Sequence, residues 1–333
     1  MKALSLVAVG DVRLTDKSEP TALPGELLLR VDMVGLCGTD LKSFRGNNPL
    51  VSYPRVLGHE IAATVIDGTQ RVPSGTTVTV SPYTNCGTCS SCRRGRVNAC
   101  EFNQTFGVQR DGALTALLAI SEDKVYPSSL PKHHLALVEP LTVGFHAVAR
   151  GRVTANDVVA VFGCGGIGLG AISGAAFRRA HTIAIDVDTA KLQTAIAAGA
   201  KDVIHASKED VRECLLHLTN GAGPDVVIEA IGLPDTFRMA VAVVAFTGRV
   251  VYIGYAKEPV AYETKLFVQK ELDILGSRNA LPDDFLSVIA MLEKGRFPVD
   301  QTISAVVGLD NAGNLLAEWS ATPAAFTKIM VEL

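Results

Sequence analysis

Four of the seven cysteines fall within fifteen residues, as Cys86, Cys89, Cys92 and Cys100 of NCGTCSSCRRGRVNAC. The pattern C-x2-C-x2-C-x7-C supplies enough thiolates to close a tetrahedron around zinc. In a reducing compartment, cysteines two residues apart are metal ligands or redox groups more often than parts of a disulfide framework. A redox C-x-x-C would sit beside a thioredoxin-like βαβ unit, and a nucleic-acid zinc ribbon would need two separated C-x2-C pairs. The surroundings offer neither, and RRGR alone reads as a solvated basic patch. Four thiolates fill the coordination sphere and leave no position for water or substrate, so this lobe is expected to be structural.

Catalysis would then need a metal with fewer protein ligands. The residues able to supply it are Cys37, Thr39 and Asp40 of GLCGTD, His59 and Glu60 of GHE, and Glu139 of EPL. A lone cysteine is commonly a small core hydrophobe and a lone histidine a satisfied core residue, and spacing alone does not decide between these readings and a ligand set. Cys164 and Cys214 have no partners at useful spacing and read as packing residues, and the other histidines read as core or surface.

A second chemical signal is VVAVFGCGGIGLG, an apolar run leading into Gly163-x-Gly165-x-x-Gly168 and then a helical pattern. The first glycine permits the tight turn, the second lets a pyrophosphate approach the backbone, and the third allows close helix packing. The helix start, with Gly166 and Ile167, turns unpaired N–H groups toward the phosphates. Asp186 ends the next apolar run, eighteen residues after Gly168. There it can accept both hydroxyls of an adenosine ribose and repel a 2′-phosphate, which favours NAD over NADP.

The elements that must position these residues differ between the two halves. To about residue 140, short β-rich runs such as LLLRVDMVG, IAATVIDG and TTVTVSP are separated by Gly, Pro and Asn turns. Beyond Glu139 five apolar strand-like runs alternate with helical stretches, which implies a parallel sheet covered by helices. The fifty-odd residues after Ser277 are too few for a domain and are expected to pack onto the first half.

A chain of 333 residues suits two domains, and 48% hydrophobic with 20% charged residues is the composition of a folded α/β protein. A net charge of -3 provides no field for nucleic acid or anionic membranes, so the expected partner is a small molecule. MKALSLVAVGDVRLTD does not read as a signal peptide and no uncharged apolar run reaches a bilayer span, so a cytoplasmic location is expected.

In their order along the chain, GLCGTD, YPRVLGHE, the four-cysteine lobe, EPL and the glycine unit with its acidic partner resemble the zinc-dependent medium-chain alcohol dehydrogenases over nearly the whole length. EPLTVGFHA, with Glu139 in place of a cysteine, is similar to the polyol and threonine dehydrogenase branch. YPRVLGHEI with LDILGSRNALPDDF is similar to bacterial sugar-acid dehydrogenases of the L-galactonate 5-dehydrogenase kind. The resemblance implies a mostly-β GroES-like catalytic domain over 1–144 and 278–333 and a Rossmann NAD-binding domain, a doubly wound parallel sheet, over 145–277.

It also implies two Zn2+ per chain, a structural one on the four-cysteine lobe and a catalytic one on Cys37 and His59, with Glu60 and Glu139 binding or exchanging at the remaining positions. Asp40 would hold the His59 ring, and Thr39 would contact the substrate hydroxyl and begin its proton path. Lys191 would reach the adenosine ribose, and Ile231 and Gly254 would line the cofactor site. Arg278 and Asn279 would stand where cofactor meets substrate, with Arg278 able to grip a carboxylate bidentately. The implied reaction moves a hydride from a secondary alcohol of a sugar acid or polyol to NAD, in a homodimer or homotetramer. A threonine-type or simple secondary-alcohol dehydrogenase shares the zinc and NAD but not the pocket. A non-catalytic NAD-binding sensor is a third reading, against which intact Cys37, His59 and Glu139 stand. PSGTTV departs from the family's Asp-Arg pair after a glycine, at a turn remote from these ligands.

Overall fold

Alternating runs of the amino-terminal half become short, mostly antiparallel strands in the computed structural model, which describes every residue from Met1 to Leu333. These are β1 (Lys2–Ala8), β2 (Asp11–Asp16), β3 (Glu26–Leu36), β4 (Arg55–Val56), β5 (Glu60–Asp67), β6 (Thr77–Val80), β7 (Leu117–Ser121) and β8 (Val125–Pro127). In β3, Leu27, Leu29 and Val31 are buried while Leu28 is half-buried and Arg30 exposed, the period of two expected when one face meets a core.

Runs that are apolar without alternation become β9 (Val158–Phe162), β10 (His181–Asp186), β11 (Asp202–His205), β12 (Val226–Glu229), β13 (Arg249–Tyr252) and β14 (Asp273–Gly276). They form one parallel sheet in the order β11-β10-β9-β12-β13-β14, consistent with burial on both faces. The helices Gly166–Phe177, Thr189–Ala197, Val211–Leu218 and Pro234–Val243 make four of the crossovers. The strand order runs outward from β9 in both directions, so the winding reverses between β9 and β12. Open sheets of this kind bind ligands at that reversal, beyond the carboxyl ends of the strands. The strand β11 is a sixth beyond the five legible in the sequence, because four residues at a sheet edge carry too short a pattern to read.

The last strands, β15 (Ile303–Gly308) and β16 (Lys328–Glu332), join the first sheet, giving β15-β16-β3-β5-β6-β8 with β7 paired to the first half of β3. One core gathers Leu27, Leu29, Leu57, Ile61, Val78, Leu114 and Trp319, and a separate one gathers Phe162, Ile183, Ile185, Val227 and Val250. No helix is long and apolar enough to cross a membrane.

The chain divides into Met1–Glu139 with Leu281–Ile289 and Val299–Leu333, and Pro140–Ala280 with Ala290–Pro298. This moves three pieces of the expected catalytic domain, 140–144, 278–280 and 290–298, to the second unit. The helix Val138–Arg150 explains the first. It crosses the helix Gly166–Phe177 so closely that a Cβ on Gly144 would lie 2.2 Å from the Ala171 nitrogen, and one on Gly170 would lie 2.7 Å from the Leu141 oxygen. Residues 278–280 follow directly from β14, where the Ser277 N–H donates to the Tyr252 oxygen at 2.9 Å. Within 290–298, the Lys294 ammonium sits 5.2 Å from the centre of the Phe177 ring.

The crossing at Gly144 leaves no room for a side chain, since it is backbone that the added carbon would meet. Gly144→Ala is expected to cost about 1–3 kcal/mol by overpacking, read as a lower midpoint in chemical denaturation. An unchanged midpoint would mean that the two helices separate freely.

Candidate active site

The residues of GLCGTD and GHE meet because β3 and β5 are neighbours. Cys37 follows the end of β3 and caps the helix Gly38–Phe44, where the Asp40 carboxylate accepts the Cys37 N–H at 2.8 Å. His59 directly precedes β5, after Gly58, whose φ of +95° lies in the left-handed region open to glycine. Glu60 opposes Gly35 across the ladder, and a Cβ on Gly35 would lie 2.1 Å from a Glu60 carboxylate oxygen. The result is a cluster in which the ligand atoms of Cys37, His59 and Glu60 all lie within 4.8 Å of one another.

Two of the sequence expectations change in detail. Asp40 faces the His59 Nδ1 at 3.9 Å, an ion-pair distance and too long for a hydrogen bond, while its carboxylate also accepts the Gly58 N–H at 3.3 Å. The carboxylate thus fixes the backbone on both sides of the cluster and stands beside the imidazole without bonding it. Glu139 lies outside the three-ligand set and instead accepts a hydrogen bond from the Tyr83 hydroxyl.

The sequence reading missed two participants. Lys328 of β16 is buried and places its ammonium 2.6 Å from both carboxylate oxygens of Glu60 and 3.3 Å from the Leu36 oxygen. Tyr83, also buried, follows β6 and meets Glu139. A lysine inside the apolar run KIMV is the one sequence signal that could have pointed to the first, and Tyr83 stands just ahead of the cysteine lobe.

The charge of this cluster is unbalanced. Burial pushes the Asp40 carboxyl up, and burial with the nearby Glu60 pushes Glu139 up to about 7. Burial opposes a charged His59, yet Asp40, Cys37 and Glu139 outweigh it and hold its pKa well above the usual imidazole value. Desolvation likewise opposes a charged Lys328, and Glu60 and Cys37 overcome it. Asp40, His59, Glu139 and Lys328 are thus all pushed toward more positive charge, and the Lys328 ammonium stands among Cys37, Asp40, Glu60 and Glu139. A thiolate, an imidazole and a carboxylate that converge in such a field fit zinc. The buried His59 Nδ1, which has no hydrogen-bond partner, stands on the side facing Asp40.

The second cysteine cluster is built differently. Cys86, Cys89, Cys92 and Cys100 bring four sulfurs within 4.8 Å of one another, on a tight loop and the short helix Ser90–Arg93. The Cys89 N–H donates to the Cys86 sulfur at 3.2 Å and the Cys86 N–H to the Cys100 sulfur at 3.4 Å, which favours thiolates. The Ser91 hydroxyl and the N–H groups of Cys92 and Glu101 lower Cys89 to about 5, whereas burial and the neighbouring sulfurs raise Cys92 to about 11. Four sulfurs this close share their charge only around a cation, and this set also fits zinc, with no position left open.

In the second unit, the loops at the ends of β9, β10, β12 and β13 carry the expected cofactor residues. Gly163 has φ +94°, Gly165 caps the helix Gly166–Phe177, and a Cβ on Gly168 would lie 1.8 Å from the Gly163 oxygen. A Cβ on Gly163 would meet the Ile231 side chain at 2.7 Å, so the loops after β9 and β12 touch. The Asp186 carboxylate accepts the N–H groups of Cys164 at 2.8 Å, Val187 at 2.8 Å and Asp188 at 3.0 Å, and so pins the glycine turn beside the end of β10. Burial and the Asp186 charge push the Cys164 thiol up, and Lys191 is near enough to oppose them in part. Arg278 and Asn279 lie just past β14, with Arg278 exposed and Asn279 at φ +51°.

Because Glu60 is wholly buried, Lys328→Met would leave its charge without a partner, at a cost of about 3–5 kcal/mol. Denaturant unfolding of the metal-free protein, where no bound cation competes with the lysine for Glu60, measures this, and a loss below about 1 kcal/mol would show that the pair contributes nothing beyond a surface ion pair.

The chain matches the family model described as an alcohol dehydrogenase GroES-like domain over residues 23–132, and that of a zinc-binding dehydrogenase over 166–294. It is 32% identical to L-galactonate-5-dehydrogenase of Escherichia coli strain K12, over 86% of each chain. It is also 32% identical to erythritol/L-threitol dehydrogenase of Mycolicibacterium smegmatis, over 90% of this chain and 89% of that one. Among solved structures, an Escherichia coli CFT073 alcohol dehydrogenase complexed with NADH superimposes with a TM-score of 0.91 at 26% identity, covering 100% and 99% of the two chains. A zinc-binding dehydrogenase of Sinorhizobium meliloti bound to NADP gives 0.92 at 28%, with the same coverage. Two ligand clusters suited to zinc, a glycine turn at a sheet reversal and these likenesses agree, and the chain belongs to the zinc-type medium-chain alcohol dehydrogenases, as an NAD(P)-dependent member among polyol and sugar-acid relatives.

Proposed function

We propose that this enzyme oxidises a secondary alcohol of a sugar acid or polyol, of the L-galactonate kind, to the ketone with NAD as acceptor, and that it carries one catalytic and one structural zinc per chain. The observation that carries this reading is the donor set. One thiolate and one imidazole stand with two buried carboxylates, Glu60 and Glu139, and so make a harder site than a two-thiolate one, suited to an oxygen-rich substrate. The L-galactonate and erythritol/L-threitol relatives act on substrates of that kind, which supports it.

When bound, zinc supplies Lewis acidity toward an alcohol oxygen, and NAD accepts the hydride. Cys37, His59 and Glu60 would hold the metal, with Lys328 bonded to both oxygens of Glu60 and so aiming it. Glu139 is held by Tyr83 beside the set and stands ready to exchange into it. Thr39 is half-buried in the first helical turn, its hydroxyl 3.8 Å from the Cys37 sulfur, where it can accept the substrate's proton and pass it outward. The guanidinium of Arg278 is our assignment for a substrate carboxylate, which it would hold by two parallel hydrogen bonds. The Asp186 carboxylate beside the glycine turn supports NAD over NADP, through repulsion of a 2′-phosphate.

A panel of aldonates, polyols, threonine and short secondary alcohols, followed by NADH absorbance, is expected to give the highest kcat/KM with a sugar acid, then polyols. Preference for threonine or a simple alcohol would replace this reading with that of a threonine-type or simple-alcohol enzyme. Asp186→Ala is expected to narrow the NAD-over-NADP ratio of kcat/KM by about tenfold, a loss of roughly 1.4 kcal/mol of discrimination. An unchanged ratio would remove Asp186 from cofactor selection.

A further inference from the structure

The second unit holds one wholly buried carboxyl group that nothing above uses. Glu229 ends β12 with 0% exposure, beside Phe162 of β9 in the ladder, and so lies at the reversal of the sheet. One of its oxygens, Oε1, accepts three hydrogen bonds, from the N–H of Ile231 at 3.0 Å, the N–H of Gly232 at 2.8 Å and the Thr236 hydroxyl at 2.7 Å. The other, Oε2, is buried with no hydrogen-bond partner, which is rare in native proteins.

That second oxygen occupies the space a side chain would need at Gly254, since a Cβ there would lie 2.5 Å from Oε2 and 2.5 Å from the Gly232 nitrogen. The Glu229 main-chain oxygen in turn accepts the N–H groups of Ile253 at 2.9 Å and Gly254 at 3.2 Å. Gly232 has φ +88°, and a Cβ on it would lie 2.8 Å from the Tyr255 oxygen. One residue therefore ties the loop after β12 to the loop after β13, with glycines on both sides because no side chain fits between them.

The placement indicates which half of a dinucleotide these loops serve. Asp186 and the adenosine side belong to β10, on one flank of β9, and β12 and β13 lie on the other flank. A dinucleotide crossing the reversal must lay its second half over the latter. We propose that Glu229 is a positioning residue for the nicotinamide half of the cofactor, setting the Ile231 and Gly254 backbones at the distance that half requires. The inference rests on the dinucleotide reading of the glycine turn.

The test compares two ligands on the zinc-loaded protein by titration calorimetry: NADH, and ADP-ribose, which lacks the nicotinamide. Glu229→Ala is expected to weaken NADH by about tenfold or more, through the loss of three buried acceptor bonds, and to leave ADP-ribose within about twofold. Glu229→Gln keeps an acceptor at Oε1 and should restore NADH to within about threefold of the parent protein. Equal weakening of both ligands would reduce Glu229 to a general structural residue, and no weakening of NADH would remove it altogether; either overturns the proposal. Should Glu229→Ala not fold, Thr236→Val removes one of the three donors and is expected to weaken NADH alone, by about threefold. Failure of the parent protein to bind either ligand would instead overturn the dinucleotide reading itself.

Discussion

A carboxylate with no access to water needs a cation, and the first unit is arranged around that need at Glu60. The residue sits in the middle of the sheet, between β3 and the turn that carries His59, where its side chain displaces any Cβ at position 35. The cation comes from Lys328, nearly the whole chain away, because β16 returns to lie against β3 and brings the ammonium alongside Leu36. The carboxy-terminal strand is thus part of the metal cluster as well as of the sheet. Attraction inside a buried pair repays desolvation only when the geometry is good and the remaining groups are bonded, and a bidentate lysine with a further carbonyl contact meets that condition.

The same surplus of negative charge separates the roles of the two cysteine-bearing sites. At the lobe of Cys86, Cys89, Cys92 and Cys100, four sulfurs converge with backbone N–H groups behind them, and a metal there is enclosed. At Cys37, His59 and Glu60 only three ligands converge, and the fourth group within influence, Glu139, is held aside by Tyr83. Density of ligands and capacity for chemistry run in opposite directions, since a reacting oxygen needs a vacant coordination position.

In the second unit the glycines matter by what they let approach. Gly163 makes room for Ile231, Gly168 for the backbone of Gly163, and Gly254 for the Glu229 carboxyl group. Gly163 and Gly254 lie just past the carboxyl ends of their strands and Gly168 in the first turn of the helix that follows β9, around the reversal of the sheet. Asp186 and Glu229 bind backbone N–H groups on opposite flanks of β9, so two carboxyl groups shape the loops to either side of the line that a dinucleotide would follow.

Local pattern alone was enough to read the β-rich first half, the alternation of strand and helix after Glu139, the closed cysteine lobe and the glycine turn with Asp186. Each of these depends on periodicity or on spacing of a few residues, which the chain displays directly. The short β11 escaped because four residues at an edge have no period to detect, and the domain boundaries shifted because close helix packing at Gly144 and Gly170, not composition, assigns 140–150. Spacing named Cys37, His59, Glu60 and Glu139 only as separate candidates, and it was the resemblance to the zinc-dependent family that implied a shared metal. Tertiary structure decided that three of them converge, that Glu139 pairs with Tyr83, and that Lys328 closes the charge on Glu60. The reason is physical: a long-range ion pair depends on which strands are neighbours and on how far each charge is removed from water, and neither quantity is written in local order.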